Sequence, residues 1–282
     1  MRERERKRTV LIALIHNNNA KRNTYIRPLL EKLQTVLSEQ FKIKLIEISY
    51  QPKIKPHTRS MLFLRDIMYQ KLNRDWVRYR LLKPPFLLRH IASFFKSALK
   101  TKRYVQGSNS LQESAMEMVI TNKHIRAWEL FLDMGSDYFI CFEDDVIFKD
   151  DSIQRVRDLL DFISRNNENK PTYIDLAGGY HSEDLKMDKL VSHQNNFFKH
   201  YNKPVTNTSC SYLLSRSLAD HFVDLLLRRP WLRLMISDWM INSLFILLVK
   251  SRVHCDCIHL EPTIFKHGSL TGKYVSMFWT RQ

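Results

Sequence analysis

The chain has 282 residues with a formal net charge of +16, 44% hydrophobic and 11% aromatic residues, and only six glycines and nine prolines. That composition is too apolar for disorder and too poor in Gly and Pro for a low-complexity protein, and the length suits one large α/β domain or a domain carrying an insertion. The positive charge calls for a phosphate-bearing or acidic partner, leaving nucleic acid, anionic lipid, nucleotides and acidic glycans open.

Met1 to Arg8 followed by apolar Val10 to Ile15 outwardly resembles a signal peptide. Acids interrupt the basic run and no small-residue cleavage site follows, so an exposed leader into a first strand is expected. Val10 to Ile15 is apolar at every position, as in a strand covered on both faces, and His16-Asn17-Asn18-Asn19 marks a loop. Tyr25 to Gln40 carries apolar residues at helical spacing and Lys42 to Ser49 alternates as a strand does, a βαβ opening that predicts a doubly wound sheet.

Between 52 and 104, fourteen Lys and Arg stand against Asp66 and Asp75. This stretch reads as a basic, partly amphipathic helical insertion in a single domain spanning 1–282. After Pro84-Pro85, Phe86 to Leu99 gathers Leu87, Leu88, Ile91, Phe94, Phe95 and Leu99 on one helix face. Such a face suits an anionic membrane surface, and it suits equally the domain's own core. No apolar run approaches the roughly 20 residues of a membrane span, so the expected location is cytoplasmic, peripheral on the inner membrane face if the helix meets lipid.

Leu111 to Asp133 predicts a helix with Gly135 past its end, and Tyr138 to Phe142 a buried strand running into Glu143-Asp144-Asp145. A helix over 152–166 and a strand at Thr172 to Leu176 follow. That strand ends in Ala177-Gly178-Gly179-Tyr180, a second loop at a carboxyl end, where open α/β sheets bind ligands. The four cysteines, at 141, 210, 255 and 257, are too sparse for a disulfide scaffold and suit reduced thiols. His254 to His259 contains a Cys-x-Cys, but without a second pair at zinc-site spacing it reads as an alternating strand.

Three consecutive acids after an apolar strand are costly to bury unless they meet a cation or water. Oxygen donors suit Mg²⁺ or Mn²⁺, completed by substrate phosphates, and alternation along an extended chain would aim Glu143 and Asp145 at one ion. Asp144 would then meet a sugar or a backbone donor. Acids at a strand end also cap helices or sit in water, and both readings stand at this point.

Beyond the acids, five blocks in order resemble the family 25 glycosyltransferases, the group that includes lipopolysaccharide-type β-galactosyltransferases, and related GT-A enzymes. They are Ile120 to Glu129, Phe142 to Val146, Asn207 to Ser215, Ser237-Asp238-Trp239 and Glu261 to Ser269, spread in that order over about half the chain. Thr121 stands where the family has Ser, and the basic stretch has no counterpart. The family's N-terminal motif is not present in its usual form, although Asn17 with Arg22 or Arg27 would serve.

The resemblance implies a GT-A-like, Rossmann-type mixed and mostly parallel sheet flanked by helices. It implies transfer of a hexosyl group, with inversion, from a nucleotide-sugar, in the first place a UDP-sugar. The acceptor would be a glycan or lipid-linked saccharide in cell-surface polysaccharide or lipopolysaccharide synthesis. On this reading Glu143, Asp145 and His267 hold Mn²⁺ or Mg²⁺. Asp144, His124, Lys266, Gly268 and Lys273 face the nucleotide-sugar, with Gly272 also easing the backbone's approach to the diphosphate. Asp238 takes the acceptor's proton, as an inverting transfer requires; the same residue suits a helix N-cap, Trp128 suits the core, and His124 suits either nucleotide contact or structure.

The rival from another class is a basic module that binds nucleic acid or membrane through 52–104 without catalysis, and a catalytically degenerate relative is a further alternative. The first leaves the acid cluster unexplained, so nucleic acid is not the expected partner. A nucleotidyl or phosphoryl transferase finds no Walker-type glycine loop in the sequence.

Overall fold

The computed structural model describes residues 7–49, 108–166, 170–179, 187 and 190–274. The basic stretch 52–104, with its expected helix Phe86 to Leu99, lies outside them. Among the described residues the chain runs β1 (Thr9–Ile15), α1 (Ala20–Leu37), β2 (Lys42–Ile48), α2 (Ser108–Asp133), β3 (Tyr138–Glu143), β4 (Val146–Phe148), α3 (Ser152–Asn166) and β5 (Thr172–Asp175). It continues through β6 (Val191–Gln194), β7 (Phe198–Tyr201), β8 (Ser211–Ser215), α4 (Arg216–Arg228), a 3₁₀ turn (Pro230–Leu234), α5 (Ser237–Lys250), β9 (Asp256–Leu260) and β10 (Phe265–His267). None of these helices is long and apolar enough to cross a membrane.

Eight strands form one sheet in the order β2-β1-β3-β8-β5-β9-β7-β6. β1 pairs in parallel with β2 and β3, and β5 with β9, whereas β8 opposes β3 and β5, and β7 opposes β9 and β6. Only β7 and β8 therefore run against the other strands, giving a mixed, mostly parallel, Rossmann-type sheet of GT-A-like form.

The unbroken apolar run of β1 has a direct cause. Val10, Ile12 and Leu14 join Ile26, Leu30 and Leu33 of α1 with Val156 and Leu160 of α3 in one core. Leu11, Ala13 and Ile15 join Trp128 and Phe131 of α2, Phe222 of α4 and Phe245 of α5 in the other. Each Val, Leu, Ile or Phe among them contributes about 1.5–3 kcal/mol when fully buried, so a polar residue anywhere from Val10 to Ile15 would be felt. α1 begins earlier than periodicity alone predicts because the Asn19 side chain accepts from the Arg22 amide at 3.2 Å, capping it.

Two features bring distant sequence to the acidic turn. β8 inserts antiparallel beside β3 with Ser211 opposite Phe142, and the Glu143 amide donates to the Cys210 carbonyl at 2.9 Å. β4 and β10 form a separate two-stranded antiparallel ribbon with His267 opposite Val146. Within His254 to His259 the expected alternating strand begins at Asp256, with Cys257 and His259 buried in β9.

Candidate active site

β3 ends at Glu143 and the chain turns at Asp144-Asp145. The expected alternation therefore stops one residue too early to point Glu143 and Asp145 at one ion. Glu143 Oε1 instead receives Ser209 Oγ at 2.8 Å and lies 3.0 Å from His124 Nε2. His124 is fully buried, and its Nδ1 lies 2.8 Å from the Tyr212 hydroxyl, which accepts from Trp128 Nε1 at 3.0 Å. The network sets the roles: tyrosine donates to Nδ1 and Nε2–H donates to the carboxylate. Burial pushes the Glu143 carboxyl up, but its interactions with His124, Ser209 and His267 outweigh it and hold it below the ordinary range. His124 thus stands behind Glu143 and offers no surface to a nucleotide, which corrects the expectation of direct contact. Among the described residues, Glu143 is not one of those whose ligand atoms come close enough to share an ion, which corrects its expected role as a metal ligand.

Asp144 turns to the β1 side. Its Oδ1 accepts from Arg22 at 2.8 Å and its Oδ2 from the Asn17 amide at 3.2 Å. The partner is a backbone donor and a guanidinium rather than an exposed ligand face, and Asp144 is buried. Arg22 stacks over the Tyr274 ring at 5.2 Å, while Arg27 pairs with exposed Glu47 instead. Sequence reasoning missed Lys123, whose Nζ is buried and donates to the His16 carbonyl at 2.7 Å and to Asn17 Oδ1 at 2.6 Å. Desolvation lowers it to about 8 despite the nearby charges of Asp144 and Glu143.

Asp145 turns to the ribbon side. Ser269 Oγ donates to its Oδ2 at 2.5 Å, the Cys210 thiol to its Oδ1 at 3.5 Å, and His267 Nδ1 lies 3.4 Å from Oδ2. Among the described residues, Asp145, Cys210 and His267 are the group whose ligand atoms lie close enough to share an ion, all within 4.8 Å of one another. His267 Nδ1 is buried without a hydrogen-bond partner. An orphaned imidazole nitrogen beside a carboxylate and a thiol fits a divalent cation, although the set is O, N and S rather than the all-oxygen set favoured by Mg²⁺. Gly268 serves this turn and not an open phosphate face: its amide donates to the Asp145 carbonyl at 2.8 Å, and a Cβ there would collide with that carbonyl and the Tyr274 ring. Lys273 sits over the Tyr25 ring at 4.2 Å and Gly272 adopts φ +74° beside it.

Lys266 and His267 border a cleft of about 930 Å³ that also takes in Ala177, Gly178, Asn207 and His259. Its floor is the carboxyl end of β5, where Asp175 Oδ1 accepts from the Ala177 and Gly178 amides and bends the Gly-Gly loop. Burial pushes the Asp175 carboxyl up, against His259 and those amides. This is the loop the sequence marked as a second ligand position.

Asp238 lies in the first turn of α5, where Ile236 holds the cap position without a side-chain bond, so Asp238 is not the N-cap. Neighbouring Ser237 is 2.6 Å from Ser209 Oγ, the hydroxyl that holds Glu143, so the start of α5 is tied to the acidic turn. Thr121 fixes the same region by donating to the Met235 carbonyl. Ser209, Cys210 and Tyr212 were visible only as a small-residue strand, because their roles arise from the β3–β8 pairing.

No protein-family model and no curated protein matches the chain. Among solved structures it is similar to a glycosyltransferase involved in the glycosylation of the major capsid of PBCV-1, at 10% identity over 92% of each chain with a TM-score of 0.39. A likeness that loose decides nothing about chemistry.

Proposed function

We propose that the chain is a metal-dependent glycosyltransferase, moving a sugar from a nucleotide-sugar to a saccharide or lipid-linked acceptor. The observation that carries this reading is the meeting of Asp145 with His267, itself a wall of a 930 Å³ cleft at the carboxyl edge of the sheet. The volume suits a ligand of that size, and the position is where open α/β sheets bind theirs. The ordered family 25-like blocks supply the reaction class.

A divalent ion held by Asp145 and His267 would supply charge stabilisation for the departing diphosphate. Lys266, exposed on β10 at the cleft, neutralises phosphate oxygens. Asp238 takes the acceptor hydroxyl's proton, giving inversion. The chain Ser237–Ser209–Glu143 holds the start of α5 in fixed relation to Asp145. The basic stretch 52–104 attaches the enzyme to an anionic membrane where a lipid-linked acceptor resides; flotation with anionic liposomes at modest ionic strength tests that part, and indifference to lipid charge removes it.

Calorimetric titration with a panel of nucleotide-sugars and nucleoside diphosphates, with and without divalent ions, tests the reading. Metal-dependent binding of one nucleotide, lost in Asp145→Ala, is expected; no nucleotide bound with any ion would sink it.

A further inference from the structure

Cys210 has no place in the sequence-based ligand set, yet its sulfur is one of the three ligand atoms at the acidic turn. It is held there from two sides. The strand pairing fixes its backbone through the Glu143 amide at 2.9 Å, and its thiol proton points at Asp145 Oδ1 across 3.5 Å. Asp145 Oδ2 and His267 Nδ1 are 3.4 Å apart, with that nitrogen buried and unpartnered.

The sulfur's 3.5 Å runs to Oδ1 and the nitrogen's 3.4 Å to Oδ2, the two oxygens of one carboxylate, and the ligand atoms of the three residues lie within 4.8 Å of one another, a span that one ion can close. A thiolate beside an imidazole suits Zn²⁺ or Co²⁺, whereas Mg²⁺ takes an all-oxygen shell. Three protein ligands from three separate segments, with a position left over, is also how catalytic zinc sites are built. Cys141, Cys255 and Cys257 are buried but stand outside the group.

We propose that Cys210 is the third protein ligand of the ion at Asp145 and His267, so that the centre takes a thiophilic divalent ion of the Zn²⁺ or Co²⁺ kind in preference to Mg²⁺. On binding, the Cys210 S–H bond breaks, its proton passes to solvent and the sulfur's electron pair goes to the metal; nothing is oxidised or reduced. The inference rests on the metal-binding reading above and changes which ion fills the site.

The test uses the full chain freed of metal and titrated with Co²⁺. A thiolate-to-cobalt charge-transfer band in the near ultraviolet, saturating at one equivalent, is expected. Cys210→Ser should lose the band and weaken Zn²⁺ by more than the 10–100-fold that loss of an outer-shell partner costs. Wild-type protein loaded with Zn²⁺ should show one sulfur neighbour at about 2.3 Å by X-ray absorption, a readout that survives any folding defect of the variant. Co²⁺ bound in an Asp145-dependent way without the band, or a band that persists in Cys210→Ser, overturns the role of Cys210 and leaves the metal reading intact. Failure of every divalent ion to bind, or binding indifferent to Asp145→Ala, overturns both.

Discussion

Within the acidic turn Asp144 is held by the Arg22 guanidinium on the β1 side, and Glu143 by the buried His124 and by Ser209. On the ribbon side Asp145 meets a hydroxyl, a thiol and an imidazole nitrogen that has no hydrogen bond. The contrast assigns different work to neighbouring residues of one acid cluster. A carboxylate already paired with guanidinium has little charge left for an ion, whereas one held by neutral donors keeps it. On the proposed reading the first two carboxylates organise the site and the third offers it a ligand.

Removing the ribbon-side carboxylate should therefore do the most damage. Asp145→Ala is expected to lower transfer by about 10³-fold, the equivalent of several kcal/mol of transition-state stabilisation, together with nucleotide binding. Steady-state kinetics beside calorimetry would read it, and a variant with full activity would erase the distinction between the two sides. Asp238→Asn should cost about 10²-fold or more in kcat while nucleotide affinity holds. Equal losses in both would mean that Asp238 binds donor instead of moving a proton.

His124→Phe leaves Glu143 without its buried donor; because Glu143 is no ligand, metal affinity is expected to fall by less than the 10–100-fold that loss of a ligand's own outer-shell partner costs. A loss of that size or larger would tie the buried network to the ion.

Lys123 sharpens the comparison through stability. Its amine titrates near 8 in the folded protein against 10.5 when exposed, so between those values the unfolded chain binds more protons. Stability contributed at this position must then rise with pH across that window, its cost being fully present below about 8. Buried Tyr173 and Tyr212, raised by desolvation, act in the opposite sense at the alkaline end, so the difference between wild type and Lys123→Met isolates the term. Denaturant midpoints across the window should show the wild type gaining on the variant; parallel curves would contradict it. The smallest effect belongs to Arg27→Ala, whose pair with Glu47 is exposed: stability within about 1 kcal/mol and activity unchanged.

Much of the N-terminal architecture was legible in sequence because it is local. The apolar run of β1, the α1 periodicity, α2 and the strand into the acids each carry their own period. The neighbourhood of Asp145 and His267 was anticipated through the ordered blocks, not through periodicity. What escaped is long-range: β4 and β10 are three residues each, too short to show alternation, and β8 reads as any small buried strand until its place between β3 and β5 is known. Cys210 and Lys123 acquire meaning only from that pairing and from the fit of α2 against the β1 loop. The split of the acid cluster depends on a turn beginning at Asp144, which no hydrophobic pattern encodes.

The ribbon also orders events in time. β10 brings His267, Gly268 and Ser269 to a turn laid down more than a hundred residues earlier in synthesis. A ribosome-bound chain can assemble β1, β2 and β3 around Arg22 and Asp144 while Asp145 still waits for most of its ligands. The surroundings of Asp145 are thus completed only once β10 has been made, and a chain stopped before it lacks His267, Gly268 and Ser269.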